Sequence, residues 1–252
     1  MKRPMLQPFV NLLQRHVRFT PWFMKLQKLF VYTPREEFIR SAMEYISTTG
    51  LEGDYLEFGL FRGISFVPAY HFAQRNKLKN MQFYGFDSFE GLPAIHGRDV
   101  GGEFTQGQYC LSLDKFTRLL SGKGVRLDKV NLVNGWYDSV LNKDTKQRLP
   151  LKSAAFVFVD CDLYESTIPV LNFIRDYLQT GTVIAFDDWF CFKGDPEKGE
   201  QRAFREWLES NSAFDAIEFH KFGWSGNSFI IRANNPGACQ NNLVNNQFRE
   251  SR

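Results

Sequence analysis

The sequence predicts an α/β protein with a mostly parallel sheet of seven strands, helices on both faces and an antiparallel last strand. Short runs rich in Val, Ile and Phe alternate with segments of helical periodicity, which is typical of consecutive βα units. Two of these runs, residues 155–159 and 181–186, are almost entirely apolar, as strands buried on both faces are. The last two runs follow each other directly and indicate an antiparallel pair at the sheet edge.

Turn and cap residues set the element boundaries. Thr33 and Pro34, followed by two glutamates, are typical of a helix start, and Gly50 is typical of a helix end. Gly59 and Gly63 predict a tight turn from the first strand into a second helix. The predicted strands are residues 55–58, 81–86, 130–134, 155–159, 181–186, 214–222 and 227–231. The predicted helices are residues 34–49, 64–74, 114–120, 200–210 and one capped by Ser166 or Thr167 that runs to about residue 179.

The chain divides into three segments. Residues 34–233 carry the α/β pattern as one domain, and residues 234–252 form an Asn-rich tail that we expect to be loose. Residues 1–33 mix basic and apolar side chains at helical spacing, interrupted by Pro4, Pro8 and Pro21. We interpret them as a helical arm that covers its own domain or a sister subunit, as a substrate lid, or as a helix on a membrane surface.

Composition bounds the class of protein and its partners. With 43% hydrophobic and 23% charged residues, the 252-residue chain has the composition of a soluble globular protein with a sizeable core. The net charge of +3 is small and its Lys and Arg residues are scattered, which argues against nucleic acid as a partner. The four cysteines lie far apart in the sequence and predict neither a zinc site nor a disulfide framework, which favours a reducing cytoplasm. No apolar run reaches the ~20 residues that a membrane span needs.

Two pairs of acids follow the two most apolar strands. Asp160 and Asp162 end the run at 155–159, and Asp187 and Asp188 end the run at 181–186. Ligands of open parallel sheets bind outside the carboxyl ends of the strands, so these acids indicate a site. Carboxylates that close repel one another and raise one another's pKa, so a proton or a hard cation must be shared among them.

The first two strands indicate a nucleoside-bearing cofactor. Asp87 ends the second strand, a position that takes ribose hydroxyls in nucleotide-binding α/β folds. Trp136 follows the third strand and would either stack on a purine or fill the core. Residues 89–114 form a Gly-rich loop, here called the flap, and its His96 is the histidine most able to touch an acceptor. We expect His71, on the second helix, to be structural.

Four motifs carry a family resemblance. The segments LEFGLFRGIS, FYGFDSFEGLP, FVFVDCDLYEST and VIAFDDW occur in this order, and DCDLYEST and DD stand at a plausible spacing. Over about residues 34–233 the chain resembles the macrocin and mycinamicin type of sugar O-methyltransferases, the TylF/MycF family. The resemblance implies a Rossmann-like class I methyltransferase fold, S-adenosyl-L-methionine as cofactor and Mg²⁺ dependence.

The resemblance also implies roles for individual residues. The cofactor-binding residues would be Glu57, Gly59 and Gly63 under the methionine part, Asp87 and Ser88 at the ribose, Gly135 and Trp136 near the adenine, and also Ser65 and Asp160. The metal ligands would be Asp160, Asp187 and Asp188, and Asp162 would be the general base. Asp160 and Asp162 stand two residues apart, so a twist of the loop would exchange their roles.

Other interpretations compete with this one. The acids would serve as helix caps in a purely structural interpretation. A DxD-type metal-dependent glycosyltransferase would explain Asp160 and Asp162 but neither Glu57 nor the second acid pair. A phosphohydrolase nucleophile motif would need Thr or Val soon after the first Asp, where Leu163 and Tyr164 stand. A methyltransferase fold that only binds partners is the non-catalytic alternative.

The predicted partners follow from the same resemblance. We expect a small-molecule or glycan acceptor with a free hydroxyl, and no nucleic acid or membrane span. The family tends to form dimers or larger assemblies, so a homo-oligomer in the cytoplasm is expected. The sequence holds no readable code for which acceptor, or which of its hydroxyls, is used.

Overall fold

The computed structural model describes residues 32–234. The predicted arm and tail therefore lie, apart from Tyr32, Thr33 and Asn234, outside the described residues. Within the described part of the chain, no helix combines the length and apolarity needed to cross a membrane.

The seven predicted strands form one sheet. They are β1 Asp54–Phe58, β2 Phe83–Asp87, β3 Val130–Asn134, β4 Ala154–Val159, β5 Val183–Phe186, β6 Phe214–Glu218 and β7 Asn227–Ala233. Their order in the sheet is β3-β2-β1-β4-β5-β7-β6. Strands β1 to β5 are parallel, and β7 runs antiparallel to both of its neighbours. This confirms the predicted mostly parallel sheet with an antiparallel last strand.

The helices confirm most of the predicted boundaries. They are α1 Pro34–Thr49, α2 Phe66–Arg75, α3 Leu113–Gly122, α4 Tyr137–Val140, α5 Lys143–Arg148, α6 Tyr164–Ile174 and α7 Gly199–Ser210. At the start of α1, Thr33 and Glu36 form a reciprocal capping box, and Gly50 ends the helix in the left-handed region. The sequence does not predict the short helices α4 and α5.

The predicted cap of α6 is wrong. The helix begins at Tyr164, so that Ser166 and Thr167 lie inside it, and it ends at Ile174 in a 3₁₀ turn. Its first N–H groups need an acceptor, and the Tyr164 N–H donates at 2.7 Å to Asp99 Oδ2 in the flap. Because this cap lies 65 positions away in the chain, the local sequence could not indicate it.

Phenylalanine fills both faces of the sheet. One apolar layer packs under α1 and α2, with Phe38, Phe66 and Phe156 at its centre, and the other includes Phe58 and Phe86. The rings of Phe58 and Phe86 stack with centroids 4.5 Å apart across β1 and β2. The high phenylalanine content therefore serves core packing in this part of the chain.

Gly59 lets two neighbouring strand ends approach closely. Its φ is +90°, and a Cβ there would lie 1.7 Å from the carbonyl oxygen of Asp160. We expected glycine at this turn to admit a ligand to the backbone. The structure gives it a second role, which is to make room for the backbone of the first acidic residue after β4.

Replacing Gly59 by Ala should destabilise the protein far more than replacing Gly50. Both glycines have positive φ, +90° and +67°, but nothing lies within 4 Å of a Cβ built at Gly50. We expect Gly50→Ala to lower the unfolding free energy by about 1 kcal/mol, the cost of a left-handed conformation. Gly59→Ala should cost about 3 kcal/mol or more because the backbone of Asp160 must move. Urea denaturation tests this, and equal losses would contradict the proposed backbone contact.

Candidate active site

A cavity of about 680 Å³ opens at the carboxyl ends of the parallel strands. It brings together all but one of the site residues predicted from the sequence. Those that line it are Glu57, Gly59, Ser65, Asp87, Ser88, Gly135, Trp136, Asp160, Asp162, Asp187 and Asp188. Gly63 does not line it: the Gly63 N–H donates to Leu60 O at 2.7 Å and closes the turn after β1. The flap contributes His96 and Tyr109 to the cavity wall.

Three carboxylates converge at the ends of β4 and β5. Asp160, Asp187 and Asp188 each offer an oxygen, and these oxygens lie within 4.8 Å of one another. Asp188 Oδ2 is buried and has no hydrogen-bond partner among the described residues. Oxygen donors at this spacing, one of them unpaired, fit a hard divalent cation such as Mg²⁺. Asp162 lies outside this trio.

Burial and mutual repulsion raise the pKa values of these acids. Burial first, and then Asp187 and Asp188, raise the pKa of Asp160 well above its usual value. Burial and the neighbouring Asp160 likewise raise the pKa of Asp162. Asp162 is itself buried and has a φ of +66°, so the loop does twist after Asp160. Of the first acid pair only Asp160 belongs to the trio, so the twist does not bring Asp162 into it in place of Asp160.

Arg35 places a positive charge beside the trio. Its guanidinium donates through Nη2 to Asp187, and Nη1 lies 3.7 Å from Asp160 Oδ2 and 3.4 Å from Ser65 Oγ. It comes from the first turn of α1, 125 positions before Asp160 in the chain. We predicted that helix correctly, but nothing in its local pattern indicates which side chain points into the cavity.

Glu200 links the two segments that carry the acids. This buried side chain, in the first turn of α7, accepts the Asp188 N–H at 3.0 Å and the Cys161 N–H at 3.5 Å. Burial, followed by Asp188, raises its pKa well above the usual value. The sequence places Glu200 at the start of an amphipathic helix but gives no sign of these contacts.

The glycine turn and the end of β2 are joined by Asp87. One carboxylate oxygen accepts the Leu60 N–H at 2.7 Å, and the other accepts the Phe89 N–H at 2.6 Å. Ser88 accepts the Glu90 N–H at 3.1 Å and donates to the backbone at Gly91. Both side chains therefore fix local backbone as well as line the cavity.

Glu57 and Trp136 flank this part of the cavity. Glu57 is buried and accepts a hydrogen bond from the Tyr55 hydroxyl, and burial raises the Glu57 pKa to about 8. Trp136 lines the cavity and belongs to neither of the two main core clusters, so its stacking on a purine stays a prediction. Gly135 before it has a φ of +146° and donates its N–H to Asp87 O at 3.0 Å.

The two histidines to which the sequence analysis assigned roles lie in different places. His71 Nε2 lies 2.9 Å from Lys123 O, a structural contact between α2 and the end of α3, as expected. His96 lines the cavity, which is the arrangement needed for contact with an acceptor.

The fold and the cavity define a class of protein. A seven-stranded sheet in this order, with β7 antiparallel and the cavity at the strand ends, is the fold of Rossmann-like methyltransferases. A family model described as macrocin O-methyltransferase (TylF) matches residues 27–220, and the chain belongs to this family.

Individual relatives share the matched region at low identity. Mycinamicin III 3''-O-methyltransferase of Micromonospora griseorubida is 28% identical over 159 residues, 60% of this chain and 61% of the relative. The 8-demethyl-8-(2,3-dimethoxy-alpha-L-rhamnosyl)-tetracenomycin-C 4'-O-methyltransferase of Streptomyces olivaceus is 26% identical over 157 residues, 60% of this chain and 58% of the relative. The matches thus span about three fifths of these relatives. The solved structure of a calicheamicin methyltransferase has the same fold, with a TM-score of 0.65 and 21% sequence identity. The match covers 91% of this chain and 94% of the calicheamicin methyltransferase.

Glu200 provides a test of how the acid-bearing segments are held. Glu200→Ala leaves two buried N–H groups without an acceptor, so we expect it to lower the unfolding free energy by about 2–3 kcal/mol. Glu200→Gln resembles the protonated side chain and keeps an acceptor for Asp188, so its effect should stay within about 1 kcal/mol. The exposed Glu209 on the same helix is the control, and denaturant unfolding of Glu209→Ala should match the wild type. Equal losses for the two Glu200 variants would contradict this role.

Glu57 should make stability fall as the pH rises. Below about pH 4.5 its carboxyl is protonated in both the folded and the unfolded chain. Between about pH 4.5 and pH 8 the unfolded chain loses the proton while the folded protein keeps it. The unfolded state therefore becomes more stable relative to the folded state over this range. The unfolding free energy of the wild type, relative to Glu57→Gln, should therefore decrease over this range by up to about 1.4 kcal/mol per pH unit. A difference that does not change with pH would show that Glu57 titrates normally.

Proposed function

We propose that the protein is an S-adenosyl-L-methionine-dependent and Mg²⁺-dependent O-methyltransferase that acts on a hydroxyl of a sugar in a glycoside, natural product or glycan. The observation that carries this proposal is the acid trio of Asp160, Asp187 and Asp188 in one cavity with the glycine turn and Asp87. Membership of the macrocin O-methyltransferase family supports the same chemistry.

Different residues of the cavity would bind the methyl donor and activate the acceptor. The donor would lie along the ends of β3, β2 and β1, with its adenine near Trp136, its ribose at Asp87 and its methionine part over Gly59. Bound Mg²⁺, held by the acid trio, would supply a Lewis acid that lowers the pKa of the acceptor hydroxyl. Asp162 would accept the proton as the methyl group transfers. Holding the acceptor oxygen in line with the methyl group would supply much of the rate.

A sugar acceptor is supported by the relatives. One relative is named as the 4'-O-methyltransferase of a tetracenomycin that carries a rhamnosyl group. The flap lines the cavity with His96 and Tyr109, polar side chains that suit a hydroxylated acceptor. A cytoplasmic location and a homo-oligomeric state, both expected from the sequence, stay predictions.

The glycosyltransferase alternative finds no support in the fold. It explains neither the glycine turn nor the family match. A non-catalytic methyltransferase fold would still bind the donor without transferring its methyl group. Isothermal titration with S-adenosylmethionine and S-adenosylhomocysteine, with and without Mg²⁺, followed by transfer of labelled methyl to sugar acceptors, distinguishes all three. No binding of either nucleoside would overturn the proposal.

Asp188 provides the sharpest test of the metal site. Asp188→Asn removes a charge from the trio, so methyl transfer should fall by about 100-fold or more and should no longer depend on added Mg²⁺. The matched control is Asp176→Asn, because Asp176 pairs with Lys146 on the surface and does not line the cavity. Unaltered turnover in Asp188→Asn would remove Asp188 from the site.

A further inference from the structure

We propose that Arg35 binds the carboxylate at the amino-acid end of the methyl donor. This inference rests on the proposed function, since it concerns how that donor is recognised. It adds a binding residue from α1, an element that supplies none of the predicted site residues.

The charges around the cavity carry the inference. Eight acidic residues line it, namely Glu57, Asp87, Asp138, Asp160, Asp162, Glu165, Asp187 and Asp188. Among the described residues that line it, Arg35 is the only lysine or arginine. The donor carries two positive groups, its sulfonium and its ammonium, and one negative group, its carboxylate. The acids suit the first two, whereas the carboxylate would be repelled everywhere except at Arg35.

The sheet order puts Arg35 at the matching end of the cavity. Trp136 follows β3, Asp87 ends β2 and Gly59 follows β1, and these strands are consecutive neighbours in the sheet. A donor with its base at β3 and its ribose at β2 must therefore direct its amino-acid part toward β1 and beyond. Arg35 lies there, 3.4 Å from Ser65 Oγ at the start of α2 and 3.7 Å from Asp160 at the end of β4.

The guanidinium has room for another partner. Its Nη2 donates to Asp187, but Nη1 makes only the two long contacts to Ser65 and Asp160. A guanidinium offers five N–H donors and matches a carboxylate in a two-point contact. Ser65 is buried at the N-cap of α2 and makes no side-chain capping bond, so its hydroxyl is able to donate to the same carboxylate.

The test compares two ligands that differ only in the carboxylate. The probes are S-adenosylhomocysteine and its decarboxylated analogue, 5'-deoxy-5'-(3-aminopropylthio)adenosine, and the readout is the Kd from isothermal titration. The wild type should bind S-adenosylhomocysteine at least about tenfold more tightly than the analogue. In Arg35→Met this preference should disappear or invert, because the analogue lacks the group that the acids repel. Arg35→Lys, which keeps the charge without the two-point fork, should show an intermediate preference.

Arg40 supplies the matched control. It lies on α1, pairs with Glu37 and Glu44 on the surface and does not line the cavity. Arg40→Met should therefore keep the full preference for the carboxylate.

Four outcomes would overturn the inference. An unchanged preference in Arg35→Met, or an equal loss of affinity for both ligands, would show that Arg35 acts only on the neighbouring acids. If the wild type binds both ligands equally, Arg35 does not recognise the carboxylate, and this conclusion holds even if Arg35→Met fails to fold. A wild type that binds neither ligand would overturn the proposed function together with this inference, and is distinguished by the absence of any binding.

Discussion

Repulsion among closely spaced carboxylates is the constraint that the site has to satisfy. Asp160, Asp187 and Asp188 offer oxygens within 4.8 Å of one another, and the buried Asp162 and Glu200 stand close by. In the described structure the charge is limited in two ways. Burial and mutual repulsion raise the pKa values of these acids, which favours their neutral forms, and Arg35 donates to Asp187. The arrangement therefore favours any further cation that reaches it.

The surrounding backbone is built to keep these acids together in spite of the repulsion. Gly59 lets the end of β1 lie against the carbonyl of Asp160, and Glu200 holds the N–H groups of Cys161 and Asp188 at once. Asp99 in the flap accepts the N–H groups of Tyr164 and Gly199, at 2.7 and 3.0 Å. The flap is thereby fastened to the starts of α6 and α7, the two helices that follow the acid-bearing segments.

The elements that the sequence predicted well are those with local signals. Apolar runs mark the strands, Thr33 and Gly50 mark the ends of α1, and acids after apolar strands mark the cavity edge. The residues that it missed, Arg35, Glu200 and Asp99, reach the site from distant parts of the chain. Each is an ordinary polar residue at a helix start or in a loop, so its type and spacing cannot reveal which long-range contact it makes. The misplaced cap of α6 has the same origin, because its acceptor belongs to the flap.

The same electrostatics bear on the release of the demethylated product in the proposed reaction. In the proposed reaction the donor would enter the acid-lined cavity with a positive sulfonium, and methyl transfer would leave a neutral thioether in its place. Attraction to the surrounding carboxylates is then lost at the sulfur, while the contacts at the base, ribose and amino-acid ends are unchanged. An acid-rich cavity should thus hold the donor more strongly than the demethylated product, which favours product release after each turnover. A divalent cation in the trio would weaken that difference, so the balance of charge around Asp160 would affect both catalysis and product release.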